Sequence, residues 1–289
     1  MKVIPTLNIE QFEEEASLSE FYSNHLDTHL TKNKNIIHKP HRHDFFLCVI
    51  FKKGSGVHEI DFDSYPITNG SVFFLKPGQT HSWTFDNSPE GYIFFHTQEF
   101  YSLFFSNKSL AQFPFYYSYK NPPNLILKVT ELKKAISLFK EINTEFYQKL
   151  SYQKQKIANL VNLLYIDLSR SYAPSEPSII ISSNYISTLE TLEQAIEEFF
   201  KTQKSVAFYA SHLHITTKHL NRITKTTLNK TPTELITERI LLEAKRLMVH
   251  TDNTLNKISE ILGYTDYAYF SRLFKQKTGI TPLQFKKRY

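Results

Sequence analysis

The sequence predicts a multidomain protein of two classes: an N-terminal all-β unit, a sandwich or small barrel carrying two long helices, and a C-terminal all-α unit with two helix-turn-helix motifs. Three observations carry that reading. Between residues 36 and 97, short apolar runs alternate with turn residues, the pattern of many short strands. Beyond residue 130 the apolar spacing changes to three and four, the period of amphipathic helices. The last 85 or so residues contain one unit built twice.

Within the β unit, 44–51 is strongly apolar and Lys53-Gly54-Ser55-Gly56 reads as a hairpin turn. His58, Ile60 and Phe62 alternate with Glu59, Asp61 and Asp63, as in a half-buried strand; His58 on the apolar face reads as structural. Asn69-Gly70 and Pro77-Gly78 are turns around a strand at 71–75, and strands at 81–85 and 92–96 follow. Leu132, Ile136, Phe139, Ile142 and Phe146 then form one helical stripe, and Ile157, Leu160, Val161, Leu164 and Leu168 a second. Such helices either fold onto the β unit or pair with a second subunit, so a homodimer through 130–172 is an expected partner. Prolines and serines mark 173–184 as a linker. The expected divisions are therefore 1–129, with an N-terminal arm, 130–172, 173–184 and 185–289.

The repeat places Leu220, Arg222, Ile223, Lys225, Asn229, Thr231, Pro232 and Leu235 over Phe270, Arg272, Leu273, Lys275, Gly279, Thr281, Pro282 and Phe285 at an offset of fifty. Upstream, Val206, Tyr209, Leu213, Ile215 and Thr216 match Leu255, Ile258, Leu262, Tyr264 and Thr265 at forty-nine, so the second copy has a turn one residue longer. Each copy reads as short helix, tight turn and second helix. A support helix is expected at 192–203, the first motif at 205–228, and a near-continuous helix at 232–250, roughly 27 Å long. Thr216 or Thr217 caps the first recognition helix, and Thr265 or Asp266 the second. Asn229 and Gly279 stand where each should end in a left-handed residue. The rod between the motifs could set the recognition helices about one duplex turn, near 34 Å, apart.

Charge points the same way. Residues 1–184 carry 18 basic and 18 acidic side chains, while residues 185–289 carry 16 against 10, so the whole excess of +6 comes from the repeat-bearing end, whose last 89 residues hold 16 against 6. A basic module beside a neutral one is the footprint of a polyanion binder. The outward faces supply the chemistry: Thr217, Lys218, His219, Asn221, Arg222 and Lys225 on one helix, and Tyr267, Ala268, Tyr269, Arg272 and Lys275 on the other. Arginine reads guanine bidentately, asparagine reads adenine, and lysine and helix N-termini suit phosphate. Double-stranded DNA is the expected partner.

The remaining composition excludes other classes. No run of 18 apolar residues signals a membrane span, residues 1–15 lack a signal-peptide core, and the lone Cys48 reads as a packing residue. A cytoplasmic location and no membrane partner are expected.

The string LHITTKHLNRITK, followed by ISEILGYTDYAYFSRLFKQKTGITPLQFKKRY, closely resembles the DNA-binding domain of AraC/XylS transcription regulators over about 100 residues. The resemblance implies a seven-helix, two-motif domain binding asymmetric half-sites. It assigns base reading to Lys218, Asn221 and Arg222 in the first motif and to Ala268, Tyr269 and Arg272 in the second. Tyr264 stands where the family has phenylalanine, Asn229 where it has glycine, and Ala268 cannot hydrogen-bond a base edge.

His41-Arg42-His43 and Pro77-Gly78-Gln79-Thr80-His81 resemble the two motifs of a cupin-like barrel, the effector domain of many such regulators. That resemblance implies a small-molecule effector, with His41, His43, Phe45, His81, Trp83 and His96 as candidate pocket residues; RNA polymerase is a further expected partner of a transcription regulator. Metal-binding cupins add a glutamate after the first histidine pair; here Phe45-Phe46-Leu47-Cys48-Val49 holds no carboxylate. No metal or other cofactor is therefore assigned and no enzyme activity expected, although three imidazoles can bind zinc. A cupin metalloenzyme fused to a DNA-binding domain, and a regulator needing no ligand, are the alternatives.

Overall fold

The computed structural model describes residues 5–12, 18, 20–37, 39–105, 110–117, 121–172, 183–228 and 230–288. Internal contacts divide the described residues into two compact units, 5–172 and 183–288.

The first unit contains strands β1 (Thr6–Leu7), β2 (Phe21–His25), β3 (Arg42–His43), β4 (Phe46–Lys53), β5 (Gly56–Ile60), β6 (Asp63–Ile67), β7 (Ser71–Leu75), β8 (His81–Phe85), β9 (Glu90–His96) and β10 (Asn124–Ile126). Its helices are α1 (Leu26–Lys32), α2 (Lys34–Ile37), α3 (Gln98–Phe104), α4 (Pro114–Tyr117), α5 (Val129–Gln148) and α6 (Gln153–Ser171). The strands form a five-stranded antiparallel sheet in the order β10-β7-β4-β9-β2 and a three-stranded sheet in the order β6-β5-β8. β1 pairs in parallel with β3.

The all-β expectation holds, but the barrel is corrected to a sandwich. Among the described residues the two sheets do not join into a ring; an isolated bridge between His41 and His81 links the start of β3 to β8. The physical reason lies in β7 and β4. All five residues of β7 and five consecutive residues of β4 are buried, so this sheet is covered on both faces. One face, with Leu47, Val49, Phe51, Phe73, Ile93 and Phe95, packs with Ile60 and Ile67 of the smaller sheet. The other, with Cys48, Ile50, Val72, Phe74 and Phe94, packs under α5 and α6.

The two predicted helical stripes are what covers that second face. Phe139, Ile142, Ile157, Val161 and Leu164 are fully buried there, each contributing on the order of 1.5–3 kcal/mol by leaving water. Gln153 caps the hairpin between the helices, its side-chain amide donating to the carbonyls of Glu145 and Phe146. One strand boundary is corrected: the His58–Phe62 alternation stops at Ile60, because Asp61 turns the backbone with φ 55° and the chain returns as β6.

The second unit is helical: α7 (Ser183–Phe199), α8 (Val206–His212), α9 (Thr217–Leu228), α10 (Pro232–His250), α11 (Leu255–Ile261), α12 (Tyr267–Thr278) and α13 (Pro282–Lys286). The support helix starts nine residues before the expected 192 and stops at 199. Leu189 continues the buried stripe of Leu192 and Ile196 upstream, and the chain turns at 200–202. Most of the expected linker at 173–184, the acidic stretch of the arm and Asn229 lie outside the described residues. Among the described residues no helix is long and apolar enough to cross a membrane.

Candidate DNA interface and ligand site

The repeat seen in the sequence is a repeat in structure. α8 and α11 are seven residues each at an offset of forty-nine, and α9 and α12 are twelve each at an offset of fifty. The extra residue of the second copy is Asp266, the N-cap of α12, whose carboxylate accepts from the Ala268 amide at 2.7 Å. In the first copy the Thr216 hydroxyl accepts from the His219 amide at 3.1 Å. Both motif turns need a left-handed residue: His214 has φ 54° and Gly263 φ 75°. α12 ends on Gly279 at φ 80°, as its position in the repeat requires. Thr231 with Glu234, and Thr281 with Gln284, form matching capping boxes with proline at the helix start.

The inward faces are packed: Leu220 and Ile223 on α9, and Phe270 and Phe274 on α12, are buried. Outward, Thr217, Lys218, Arg222 and Lys225 are exposed on α9, as are Ala268, Tyr269, Arg272 and Lys275 on α12. The remaining predicted contacts are less free. Asn221 is half-buried and donates to the Thr217 carbonyl at 2.9 Å, leaving its amide oxygen open. His219 is half-buried with its ring edge-on to Tyr185 of α7, and Tyr267 leans toward Phe270. The open face of each helix is thus a guanidinium and a lysine one turn on.

In the first unit, five of the six predicted pocket residues come together between the sheets. His43 stacks on Phe45 at 4.5 Å, Phe45 on Phe95 at 4.4 Å, and His81 stands edge-on to Trp83 at 4.8 Å. His96 is the correction. The register pairing Leu47 with Phe95 turns His96 to the opposite face of the sheet, toward α6. There its Nδ1–H donates to the Thr97 carbonyl at 2.9 Å, and the Tyr165 hydroxyl, itself 3.1 Å from that of Tyr116, donates to Nε2 at 2.8 Å. His96 therefore ties β9 to α6 and does not line the space between the sheets.

Two histidines join the cluster that the sequence reading left out of it. His58 lies fully buried with Nε2 2.9 Å from His81 Nδ1, an inward position its strand alternation did indicate. His29 of α1 is buried against Tyr22, Asn33 and Phe95. Burial, reinforced by the neighbouring imidazoles, holds His43, His58 and His81 well below the ordinary histidine pKa and His29 down to about 3, so the cluster is neutral.

Neutral imidazoles have lone pairs, the donors that a metal of the kind held by metal-binding cupins would need. His41, His43 and His81 each offer one nitrogen within 4.8 Å of the others. His41 Nδ1–H donates to the Lys39 carbonyl at 2.8 Å, and His43 Nε2 faces His81 Nε2 at 3.2 Å. His43 Nδ1 and His58 Nδ1 are buried and have no partner among the described residues, each an expense of about 1–3 kcal/mol. The donor set fits a metal without a carboxylate.

Acid should expose the cost of burying His96. Its folded pKa is pushed down to about 4, chiefly by burial, against 6.5 for the free side chain. Between those values the unfolded chain binds the extra proton, so its contribution is complete above pH 6.5 and is lost as pH falls toward 4. We expect His96→Gln to flatten the pH dependence of urea unfolding between pH 7 and 5 by up to about 1.4 kcal/mol per pH unit. An unchanged slope would show that His96 titrates normally.

Residues 26–136 match the model of an AraC-like ligand binding domain, and residues 209–288 that of a helix-turn-helix domain. The chain belongs to the AraC family of transcription regulators. Similar relatives include the HTH-type transcriptional activator RhaR of Mannheimia succiniciproducens, 23% identical over 86% of this chain and 87% of its own length. Another is the HTH-type transcriptional regulator YfiF of Bacillus subtilis, 22% identical over 86% and 79%. Among solved structures, fatty acid-bound ToxT of Vibrio cholerae aligns over 94% of this chain and 96% of its own at 14% identity and a TM-score of 0.45. Membership in the AraC family accounts for the doubled motif; the histidine cluster belongs to the matched ligand-binding region.

Proposed function

We propose that this AraC-family regulator reads DNA through α9 and α12, with Arg222 and Arg272 as the principal base contacts. Lys225 and Lys275 take phosphate, Lys218 takes phosphate or a flanking base edge, Thr217 and the helix N-termini take phosphate, and Tyr269 and Ala268 take apolar contact with thymine methyl groups. Asn221, His219 and Tyr267 contribute after small side-chain movements. The observation that carries the reading is the matched pair of twelve-residue helices, each with an exposed arginine at the same repeat position.

His41, His43, Phe45, His81 and Trp83 form the effector site of this proposal, and a bound effector shifts the population of DNA-binding arrangements. RNA polymerase is the downstream partner and the cytoplasm the place of action. A homodimer through 130–172 would use what the packed stripes leave outside, chiefly Tyr147, Leu150, Tyr152 and Leu163. The relatives carry regulator names, and we read the chain as a regulator and not as an enzyme. The histidine trio is the one feature that favours a metalloenzyme fused to a DNA-binding domain.

The test is competition binding of the purified full chain to its own upstream DNA against random duplex across a salt series. We expect a preference for the upstream DNA that survives as salt removes the non-specific component. Equal affinity for both at every salt concentration would overturn the proposal.

A further inference from the structure

We propose that Lys204 fixes the spacing between the two DNA readers, by fastening the loop in front of α8 to the turn inside the second motif. The proposal deepens the two-reader assignment above and rests on it. Along the chain the motifs are joined by α10, on which α7 and α9 pack from the first half and α11 and α13 from the second. A single connecting helix leaves hinge rotation to the loops at its two ends. A second fastening, away from that helix, removes the rotation.

Lys204 supplies that fastening. Its ammonium donates to the carbonyls of Lys201 and Gly263, both at 3.1 Å, and lies 4.6 Å from the centre of the Tyr264 ring. Each side of the contact is built into a different reader. On the first side, Lys204 directly precedes Ser205, the N-cap of α8, and the hydroxyl of fully buried Tyr209 donates to the Gln203 carbonyl at 2.9 Å. On the second side, Tyr264 packs against Tyr269 and Phe270 of α12, with ring centres at 5.9 and 5.4 Å. Two carbonyls and a ring face already surround the ammonium, and a phosphate would have to displace them.

The internal repeat provides a control. Gly263 and His214 stand at matching positions forty-nine residues apart, and both adopt a left-handed backbone, at φ 75° and 54°. The backbone alone does not demand glycine, since His214 carries an exposed side chain in the same conformation. What demands it at 263 is the neighbour. A Cβ there would stand 1.9 Å from the Lys201 carbonyl oxygen and 2.7 Å from the Lys204 ammonium. The closeness at 263 therefore belongs to the contact between motifs and not to the turn. The residue before each first helix differs in the same sense. Asn253 matches Lys204 in the repeat, and its carbonyl accepts from Lys286 of α13 at 2.8 Å, inside the second half.

The readers are thus joined twice, along α10 and across this contact. Two rigidly held readers have a high effective concentration for each other's part of a site at one spacing and a low one elsewhere. A loosened pair tolerates several spacings. Lys204 accordingly acts on spacing, and not on which bases either helix reads or how many phosphates are neutralised. The competing role is that of a surface lysine meeting phosphate.

The experiment uses the full chain and DNA selected by the wild type from a random pool, with matched duplexes whose two parts lie a base pair closer or farther apart. Lys204→Met should cut the preference for the selected spacing by about 5-fold or more. Base preferences within each part and the slope of log affinity against log salt should stay unchanged. Lys204→Arg, which can still donate to both carbonyls, should restore part of the spacing preference. Gly263→Ala that folds by circular dichroism should lose the preference as Lys204→Met does. An unchanged spacing preference, a lost base preference, or a salt slope lower by about one, the mark of a phosphate contact, would overturn the proposal. Failure of the wild type to select any two-part site would instead strike the two-reader reading itself.

Discussion

Replacing Arg222 or Arg272 with alanine is expected to weaken binding to a specific site by roughly 1–3 kcal/mol each, about 5- to 150-fold, with little change in stability. Both side chains are exposed, and among the described residues neither has a hydrogen bond or an ion pair that folding would lose. Surface changes of that kind usually stay within about 0.5 kcal/mol of the parent. The loss should be confined to particular base pairs, because a guanidinium in the major groove reads guanine through two acceptors at once. Lys225→Ala or Lys275→Ala should behave differently, weakening all sequences alike and lowering the salt slope by about one. Affinity on specific and random duplex, with thermal melting as control, separates these outcomes. Equal losses on both duplexes from the arginine variants would reduce them to phosphate contacts.

The largest loss of stability is expected from Phe270→Ala. Phe270 is fully buried on the inner face of α12, with ring centres of Tyr264 at 5.4 Å and Phe274 at 6.1 Å. Truncating a packed phenylalanine removes its transfer energy and leaves a cavity, together about 3–5 kcal/mol. A domain of this size holds only about 5–15 kcal/mol in reserve, so its melting temperature should fall by more than about 10 °C. Leu220→Ala, at the matching position of α9, should cost about 2–5 kcal/mol. These variants lose DNA binding through unfolding and the arginine variants lose it while folded, so circular dichroism melts distinguish the two. A Phe270→Ala protein melting with the wild type would mean that α12 is not packed as described.

Much of this was legible in the sequence because local rules and tertiary packing agree there. α9 and α10 begin and end at the residues that capping and proline signals mark, and the repeat fixes α11 to α13 from their counterparts. β7 and β8 were likewise bounded by their turns. β2 was not, because Ser23 and Asn24 interrupt its apolar pattern; Ser23 is satisfied by Asn143, 120 residues away. Residue type alone groups His96 with the pocket. Only the register with β4 reveals which face of β9 it occupies. The barrel became a sandwich for a related reason: a strand buried on both faces signals a second covering layer, and that layer comes from α5 and α6. His29 carried no local signal, since its burial depends on Tyr22 and Phe95 converging from two strands.

The central claim, two readers acting on one face of a duplex, is tested most directly by selecting DNA from a random pool with the wild type, Arg222→Ala and Arg272→Ala. The wild type should enrich a two-part site with centres about one helical turn, 10–10.5 base pairs, apart. Each variant should lose the base preference of one part and keep the other. Enrichment of a single part, or erosion of the same base pairs by both variants, would contradict the account.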